Sequence, residues 1–174
     1  ATKDVSIKED LVEEVARMFG YDNIEPKPLK FEAVPVSLKR EVALEYEVKK
    51  YLAEKYDATE VHSYIWNYKD FCARHKIEHP SYIRLMDSSN SGQDSIRSLL
   101  APTMLKFFEE NRNSLSDIRI FEIGRVVSGK DENNLAVEEK RLCYLLASQT
   151  KSEEELFFEM KKTILDLAKT VVGL

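Results

Sequence analysis

Five acidic side chains stand within the eleven residues from Asp4 to Glu14, and four of them, Asp4, Asp10, Glu13 and Glu14, are candidate metal ligands. Asp10, Glu13 and Glu14 occupy positions i, i+3 and i+4, so a helix would place their carboxylates on one face. Oxygen ligands without histidine or cysteine suit Mg²⁺ or Ca²⁺ rather than zinc. Acids in a first helical turn are also stabilised by the helix dipole, and charge clusters are commonly solvated. Spacing alone therefore favours an ordinary solvated helix face over a metal site.

The rest of the sequence carries no strong catalytic motif. It has no P-loop, no dinucleotide fingerprint and no Gly-x-Ser-x-Gly nucleophile motif. Cys72 and Cys143 lack the spacing of a metal or redox pair and are expected to be reduced thiols in a cytoplasmic protein. A net charge of −5 argues against a chain that covers phosphates with a basic surface. A structural or partner-binding role stays open.

The acids lie at the start of a predicted helix. Ser6 and Glu9 have the spacing of a capping box at its N-terminus, and Gly20 is expected to end it. Three prolines between residues 26 and 35 then predict an extended segment, because proline interrupts helices.

Helices and strands are mixed in the remaining sequence. Helices are predicted for residues 37–56, 67–75, 102–113 and 152–172, and strands for residues 59–66, 82–87, 117–127 and 140–148. The last two strands flank a short turn and are expected to form an antiparallel hairpin. The mixture predicts an α+β fold with an antiparallel sheet. No apolar run is long enough to span a membrane, and no secretory signal opens the sequence.

Three blocks of the sequence together resemble the β subunit of bacterial phenylalanyl-tRNA synthetase. They are DVSIKEDLVEEVARMFGYDNI from Asp4, DSIRSLLAPTMLKFFEENRN from Asp94 and DIRIFEIGRVV from Asp117. The first is similar to the family's acidic helix and its Gly-Tyr-Asp-Asn-Ile turn, and the third to its Phe-Glu-Ile-Gly-Arg-Val strand. The second departs from the family pattern at Ala101, Thr103 and Met104.

The resemblance implies three segments of a longer protein. Residues 1–25 would be the C-terminal helix of a small winged-helix-like domain, and residues 26–36 a proline-rich linker. Residues 37–174 would be a class II synthetase catalytic-like module, which is an antiparallel sheet flanked by helices. The editing and anticodon-recognition domains that flank this module in the family are not in the sequence.

The resemblance also changes the interpretation of the four acids. Family members hold magnesium near the partner subunit with an Asp followed by acids six, nine and ten positions later. Asp4, Asp10, Glu13 and Glu14 match that pattern. The resemblance therefore implies a weak Mg²⁺ site that is complete only beside the partner chain.

The resemblance further implies that this module has lost its chemistry. Adenylate formation needs an arginine that neutralises charge on the α-phosphate. In the catalytic subunits that arginine follows a Gly-Arg-Val-Tyr strand, whereas Val127 and Ser128 stand there in this sequence. ATP would then be used by the parent complex and not by this chain. Arg97 and Arg125 are expected to pair with carboxylates rather than with substrate.

The implied partner is the catalytic α subunit, in a heterotetramer that charges tRNA(Phe) and contacts the tRNA through the full complex. The long helix from Ser37 would form the subunit interface, because the corresponding helix of class II synthetases packs at the dimer interface. Its candidate interface residues are Leu38, Val42, Tyr46, Val48 and Leu52. Tyr46 and Val48 are expected to be exposed.

Two alternative functions stay open. One is an independent amino-acid-activating enzyme, which Ser128 disfavours. The other is a stand-alone regulatory or interaction protein that has the same fold and no role in aminoacylation. Self-association of the chain is also open.

Overall fold

The computed structural model describes residues 5–78, 81–86 and 93–173. The chain divides into two compact units, of which the first ends at Ser37 and the second begins at Leu38. Among the helices of the described residues, none is both long and apolar enough to cross a membrane. The assignment of residues 1–25 to a winged-helix-like domain, 26–36 to a linker and 37–174 to a catalytic-like module stays a prediction.

Helix α1 (Lys8–Phe19) is the main element of the first unit, and a single 3₁₀ turn (Tyr21–Asn23) follows it. Gly20 ends α1 with a φ of 89°, a conformation that glycine adopts more readily than other residues. From residue 25 to Ser37 the chain has no regular secondary structure, as its prolines predict.

The capping box predicted for Ser6 and Glu9 is wrong. The Asp10 carboxylate accepts hydrogen bonds from the backbone amides of Ser6 at 2.8 Å and Ile7 at 3.0 Å. Asp10 takes this role because the helix begins after Ile7, which places Asp10 at the third helical position.

The second unit confirms the predicted mixture of helices and strands. Its elements are α2 (Arg40–Tyr56), β1 (Thr59–Glu60), α3 (Lys69–Arg74), α4 (Ala101–Asn111), β2 (Asp117–Lys130), β3 (Ala136–Ser148) and α5 (Glu153–Leu167), which a π-helical turn (Ala168–Val172) extends. Both hairpin strands are longer than predicted.

The three strands form one sheet in the order β1-β2-β3. β2 and β3 form the predicted antiparallel hairpin, with a register shift between Val127 and Gly129. β1 instead pairs with β2 in parallel, and Thr59 lies beside Ile120. The sheet is therefore mixed, and the prediction of a wholly antiparallel sheet is wrong at β1.

The predicted strands at residues 59–66 and 82–87 are largely wrong. Beyond β1, Trp66 forms an isolated bridge with Ile96, and Arg84 forms another with Ser95, while residue 87 lies outside the described residues. The backbone leaves the sheet because residues near Arg97 pair with it instead: the Arg97 amide donates to the Ile65 carbonyl at 2.9 Å. Sequence alternation cannot reveal such non-local pairing.

The hydrophobic core lies on both faces of the sheet, because alternate residues of β2 point to opposite sides. Phe121 packs with Val48, Leu52 and Ala58 on the α2 side. On the other side, the buried cluster consists of Met104 from α4 with Ile118 and Ile120 from β2. Both faces of β2 are therefore covered by buried clusters.

Helix α5 is held against the end of α2 by polar contacts. The Tyr56 hydroxyl donates to the Asp166 carboxylate at 2.7 Å, and the Lys55 ammonium lies 3.2 Å from the same oxygen. These two bonds, that of Tyr56 first, lower the pKa of Asp166. Burial, followed by the bond to Asp166, raises the pKa of Tyr56 to about 12.

A buried ion pair joins β2 to the segment before α4. The Arg97 guanidinium donates to the Glu122 carboxylate at 2.8 Å, and both side chains are only 3% exposed. The Ser63 hydroxyl lies between them: it donates to Glu122 at 2.6 Å and accepts from Arg97 at 2.6 Å. Both buried charges therefore have hydrogen-bond partners, which they need because an unpaired buried charge is costly.

Backbone groups complete the hydrogen bonding of Arg97. Its Nε atom donates to the Arg125 carbonyl at 3.0 Å, and its Nη1 atom donates to the Tyr64 carbonyl at 3.3 Å. Its own carbonyl accepts from the Val127 amide at 3.0 Å. One side chain thereby connects the chain after β1, the chain before α4 and strand β2.

Gly124 provides the space that this network occupies. A Cβ atom at Gly124 would overlap the Arg97 guanidinium and would lie 2.8 Å from the Glu122 carboxylate. At Gly129, on the same strand, a Cβ atom would meet nothing within 4 Å. The two glycines therefore differ in what surrounds them: Gly124 lies against the buried ion pair, whereas Gly129 lies at the register shift of β2 and faces open space.

We expect Gly124→Ala to lower the free energy of unfolding by about 1–3 kcal/mol, because several hydrogen bonds hold Arg97 in place. The matched variant Gly129→Ala should change it by less than about 0.5 kcal/mol. Urea denaturation of both variants measures the difference. Equal effects would mean that the Arg97–Glu122 pair can move aside for a methyl group at little cost and does not constrain β2.

Candidate functional site

Ser128 stands where the resemblance places the phosphate-neutralising arginine. It lies at the register shift of β2, and its hydroxyl is 3.4 Å from the Val137 carbonyl on β3. Hydrogen bonding from Ser128, and next from Arg141, lowers the pKa of Glu139. A neutral hydroxyl engaged with the neighbouring strand supplies no positive charge to a phosphate.

Arg97 and Arg125, the two arginines considered in the sequence analysis, are both paired. Arg97 is enclosed with Glu122, as described above. Arg125 lies 2.9 Å from the Glu138 carboxylate, on the exposed part of the hairpin. The prediction that both arginines pair with carboxylates is confirmed.

A cavity of about 680 Å³ lies between α2 and the hairpin. Its apolar lining consists of Leu44, Val48, Ile123, Leu142 and Leu167. The charges at its rim balance one another: Glu45 binds both Lys140 and Lys49, and Arg141 binds Glu139. The bonds to Lys140, first, and to Lys49 lower the pKa of Glu45. This rim therefore has little excess positive charge to attract a nucleotide.

Helix α2 provides only part of the predicted interface. Leu38, just before the helix, and Val42 and Tyr46 within it are exposed and recur at intervals of four residues. Val48 and Leu52 are buried in the core, so the expectation that Val48 is exposed is wrong. Those two side chains point to Phe121 and cannot reach a partner.

The acidic cluster is only partly within the described residues, because Asp4 lies outside them. Asp10 caps α1, and the bonds from the Ile7 amide first and the Ser6 amide next lower its pKa, which keeps the carboxylate charged. Glu14 is hydrogen-bonded to Arg17, and that bond raises the pKa of Arg17. Within the described ranges, no three His, Cys, Asp or Glu side chains are grouped closely enough to hold a metal.

Sequence reasoning missed the participation of Ser63 and Gly124 in the Arg97 network. One signal was available: Glu122 follows Ile118 and Ile120 at a spacing of two, which places an acid on a buried strand face. A buried carboxylate demands a cation and further donors. Which serine would supply a donor depends on the folding of residues 61–67, which no local pattern shows.

A family model described as the phenylalanyl tRNA synthetase beta chain CLM domain matches residues 24–172. Phenylalanine–tRNA ligase beta subunits are among the relatives. That of Solibacter usitatus is 35% identical over 132 residues, covering 75% of this chain and 17% of the relative. That of Leptospira interrogans is 32% identical over 173 residues, covering 97% and 20%. The chain thus spans about a fifth of the length of these relatives.

Two structures of pyrrolysyl-tRNA synthetase from Desulfitobacterium hafniense are similar in fold. Their TM-scores are 0.54 and 0.59, each at 21% identity. They cover 73% and 78% of this chain, and 46% and 47% of the synthetase chains. At this identity the similarity shows the fold alone, a class II-type synthetase arrangement. The family match over residues 24–172 and the relatives at 35% and 32% identity show that the chain belongs to the phenylalanyl-tRNA synthetase β chain family.

Proposed function

We propose that this chain is a non-catalytic module of a phenylalanine–tRNA ligase β subunit. Its role is to pair with the catalytic α subunit while the complete enzyme charges tRNA(Phe) with phenylalanine. The observation that supports the non-catalytic assignment is Ser128, which stands where the resemblance places a phosphate-binding arginine and whose hydroxyl bonds to strand β3. The family match over residues 24–172 supports the choice of parent enzyme.

The chemistry of adenylate formation supports this proposal. Charge accumulates on the α-phosphate during attack, and catalysis needs a preorganised cation aimed at that charge. In this chain the buried Arg97 is paired with Glu122, and Arg125 is paired with Glu138. ATP is therefore used by the parent complex and not by this module.

The partner surface of this proposal is the exposed side of α2. Leu38, Val42 and Tyr46 form an apolar row there, beyond the core residues of the same helix. Pairing of the catalytic subunit with this row would place the module in a cytoplasmic heterotetramer. Contact with tRNA then occurs through the whole complex.

The proposal includes a weak Mg²⁺ site on the acidic residues at the start of the chain. Asp4, Asp10, Glu13 and Glu14 are the residues that would hold it, and they offer only the oxygen ligands that Mg²⁺ prefers. Asp10 stays ionised, although one of its oxygens already serves the cap of α1. Glu14 would have to release Arg17. These competing bonds fit a weak site that the partner subunit completes.

We expect no binding of Mg-ATP to the isolated chain, with or without phenylalanine. Trp66, the only tryptophan, reports binding by its fluorescence, and thermal unfolding provides an independent signal. Neither should change in a saturable way up to millimolar ATP, because Ser128 supplies no positive charge where the resemblance places the arginine, and Arg97 and Arg125 are paired with carboxylates. Saturable binding that tightens with phenylalanine would favour the alternative of an amino-acid-activating enzyme.

The chain is expected to bind the catalytic α subunit of its own synthetase through α2. The double variant Val42→Ser, Tyr46→Ser should raise the dissociation constant at least about tenfold, since apolar anchors dominate interfaces. Leu135→Ser is the control, because Leu135 is also exposed but lies on the hairpin turn. Calorimetry measures each constant. Absence of any binding by the unaltered chain would favour the stand-alone regulatory protein.

Magnesium is expected to raise the melting temperature of the complex between this chain and the α subunit. Glu13→Gln should reduce the magnesium-dependent part of that rise, because it removes one anionic ligand. Glu9→Gln, on the same helix and outside the ligand set, should leave it unchanged. A complex whose melting temperature is the same in Mg²⁺ and in chelator would exclude the site.

A further inference from the structure

Helix α5 has an apolar face that the chain leaves uncovered. The α5 outer face consists of Phe157, Phe158, Ile164 and Leu165, which are between 48% and 62% exposed. The two phenylalanine rings contact each other edge to face, with centroids 5.6 Å apart. Phe157 with Ile164, and Phe158 with Leu165, each recur at a spacing of seven, so they form two neighbouring rows on one side of the helix, with Glu154 and Lys161 between the rows.

The opposite side of α5 is the one that packs on this chain. Thr163 is buried there, and Glu159 lies 2.9 Å from Arg119 of β2. Asp166 binds Tyr56 at the end of α2. The contacts that hold α5 against this chain therefore lie on a different side of the helix from the α5 outer face. Contiguous exposed apolar side chains of this size mark interaction surfaces.

The charges on α5 are arranged so that the helix complements itself. Glu153 and Glu154 precede the phenylalanine pair, and Lys161 and Lys162 follow it. Within the part of the chain that the structure describes, Glu154 and Lys161 form no salt bridge. The two residues are equally distant from the bond between Phe157 and Phe158. A second α5, turned antiparallel about that bond, would therefore place its Lys161 beside Glu154.

We propose that the α5 outer face is a self-association surface, on which a second copy of this chain binds with twofold symmetry. Such an interface uses the same patch on both copies, so each favourable pair occurs twice. Phe157 and Phe158 pack on their counterparts at the axis, flanked by two pairs of Glu154 with Lys161. Ile164 and Leu165 extend the contact towards the first residues before the partner's helix.

The size of the patch indicates a weak dimer. One helix face per copy buries less than a standard interface, so the dissociation constant is expected to be on the order of tens of micromolar. This surface is separate from the exposed side of α2 that the proposed function assigns to the α subunit. Failure to bind the α subunit and failure to self-associate are therefore independent results.

Charge reversal on α5 tests both the surface and its orientation. Sedimentation equilibrium of the 174-residue chain over a wide concentration range gives the dissociation constant. Glu154→Lys and Lys161→Glu should each raise it about tenfold, because every change creates two like-charge contacts in the dimer. The double variant E154K/K161E restores opposite charges and should return the constant to within about threefold of the original.

Matched controls lie on the hairpin, away from α5. Glu132→Lys and Lys130→Glu make the same changes in net charge and should leave the dimer unaffected. All altered side chains are exposed, and circular dichroism checks that the variants fold. A chain that stays monomeric at every concentration would overturn the proposal. So would a dimer that ignores the α5 reversals, or a double variant that is not restored. If the chain is monomeric and its α5 variants bind the α subunit more weakly than the unaltered chain does, the α5 outer face binds that subunit and not a second copy.

Discussion

The hydrogen-bonded pair of Arg97 and Glu122 is the constraint on which the second unit depends. Charged groups are costly to bury, and breaking one side of such a pair leaves the other uncompensated. The fold meets this cost by bringing Ser63 and three backbone carbonyl or amide groups to the pair. Segments far apart in sequence are thereby fixed to one point of β2.

This network also explains why strand β1, at the edge of the sheet, contains only two residues. After β1, the backbone turns its carbonyl groups towards Arg97 instead of continuing beside β2. The remaining sheet is dominated by the long hairpin, whose alternating side chains support one hydrophobic cluster under α2 and another under α4. The ion pair thus determines both the extent of the sheet and the position of α4.

Much of this architecture could be predicted from local patterns, but its exceptions have long-range causes. Periodicity located the helices and the hairpin, and the pairing of Arg97 with a carboxylate was foreseen. On α2, however, Val42 and Tyr46 lie on one side of the helix and Val48 and Leu52 on another. Because both sides carry large apolar or aromatic residues, the sequence could not distinguish the core side from the exposed side. Likewise, the cap of α1 used Asp10 instead of Glu9, because the helix started one residue later than the capping pattern indicated. The proposed magnesium site has a similar limit, since Asp4 lies outside the described residues.

Gly124 has a further consequence for how the sequence of such a module can change over evolutionary time. At that position a larger residue requires Arg97 or Glu122 to move or to become smaller, so the three positions are coupled. Ser128 has no such coupling to the core, because it lies at an irregular point of the strand and is not fully buried. A substitution at position 128 therefore leaves the interior unchanged, whereas a substitution of Arg97 or Glu122 alone leaves the other charge buried and unpaired. Sequence change is therefore tolerated more readily at position 128 than at Gly124, Arg97 or Glu122.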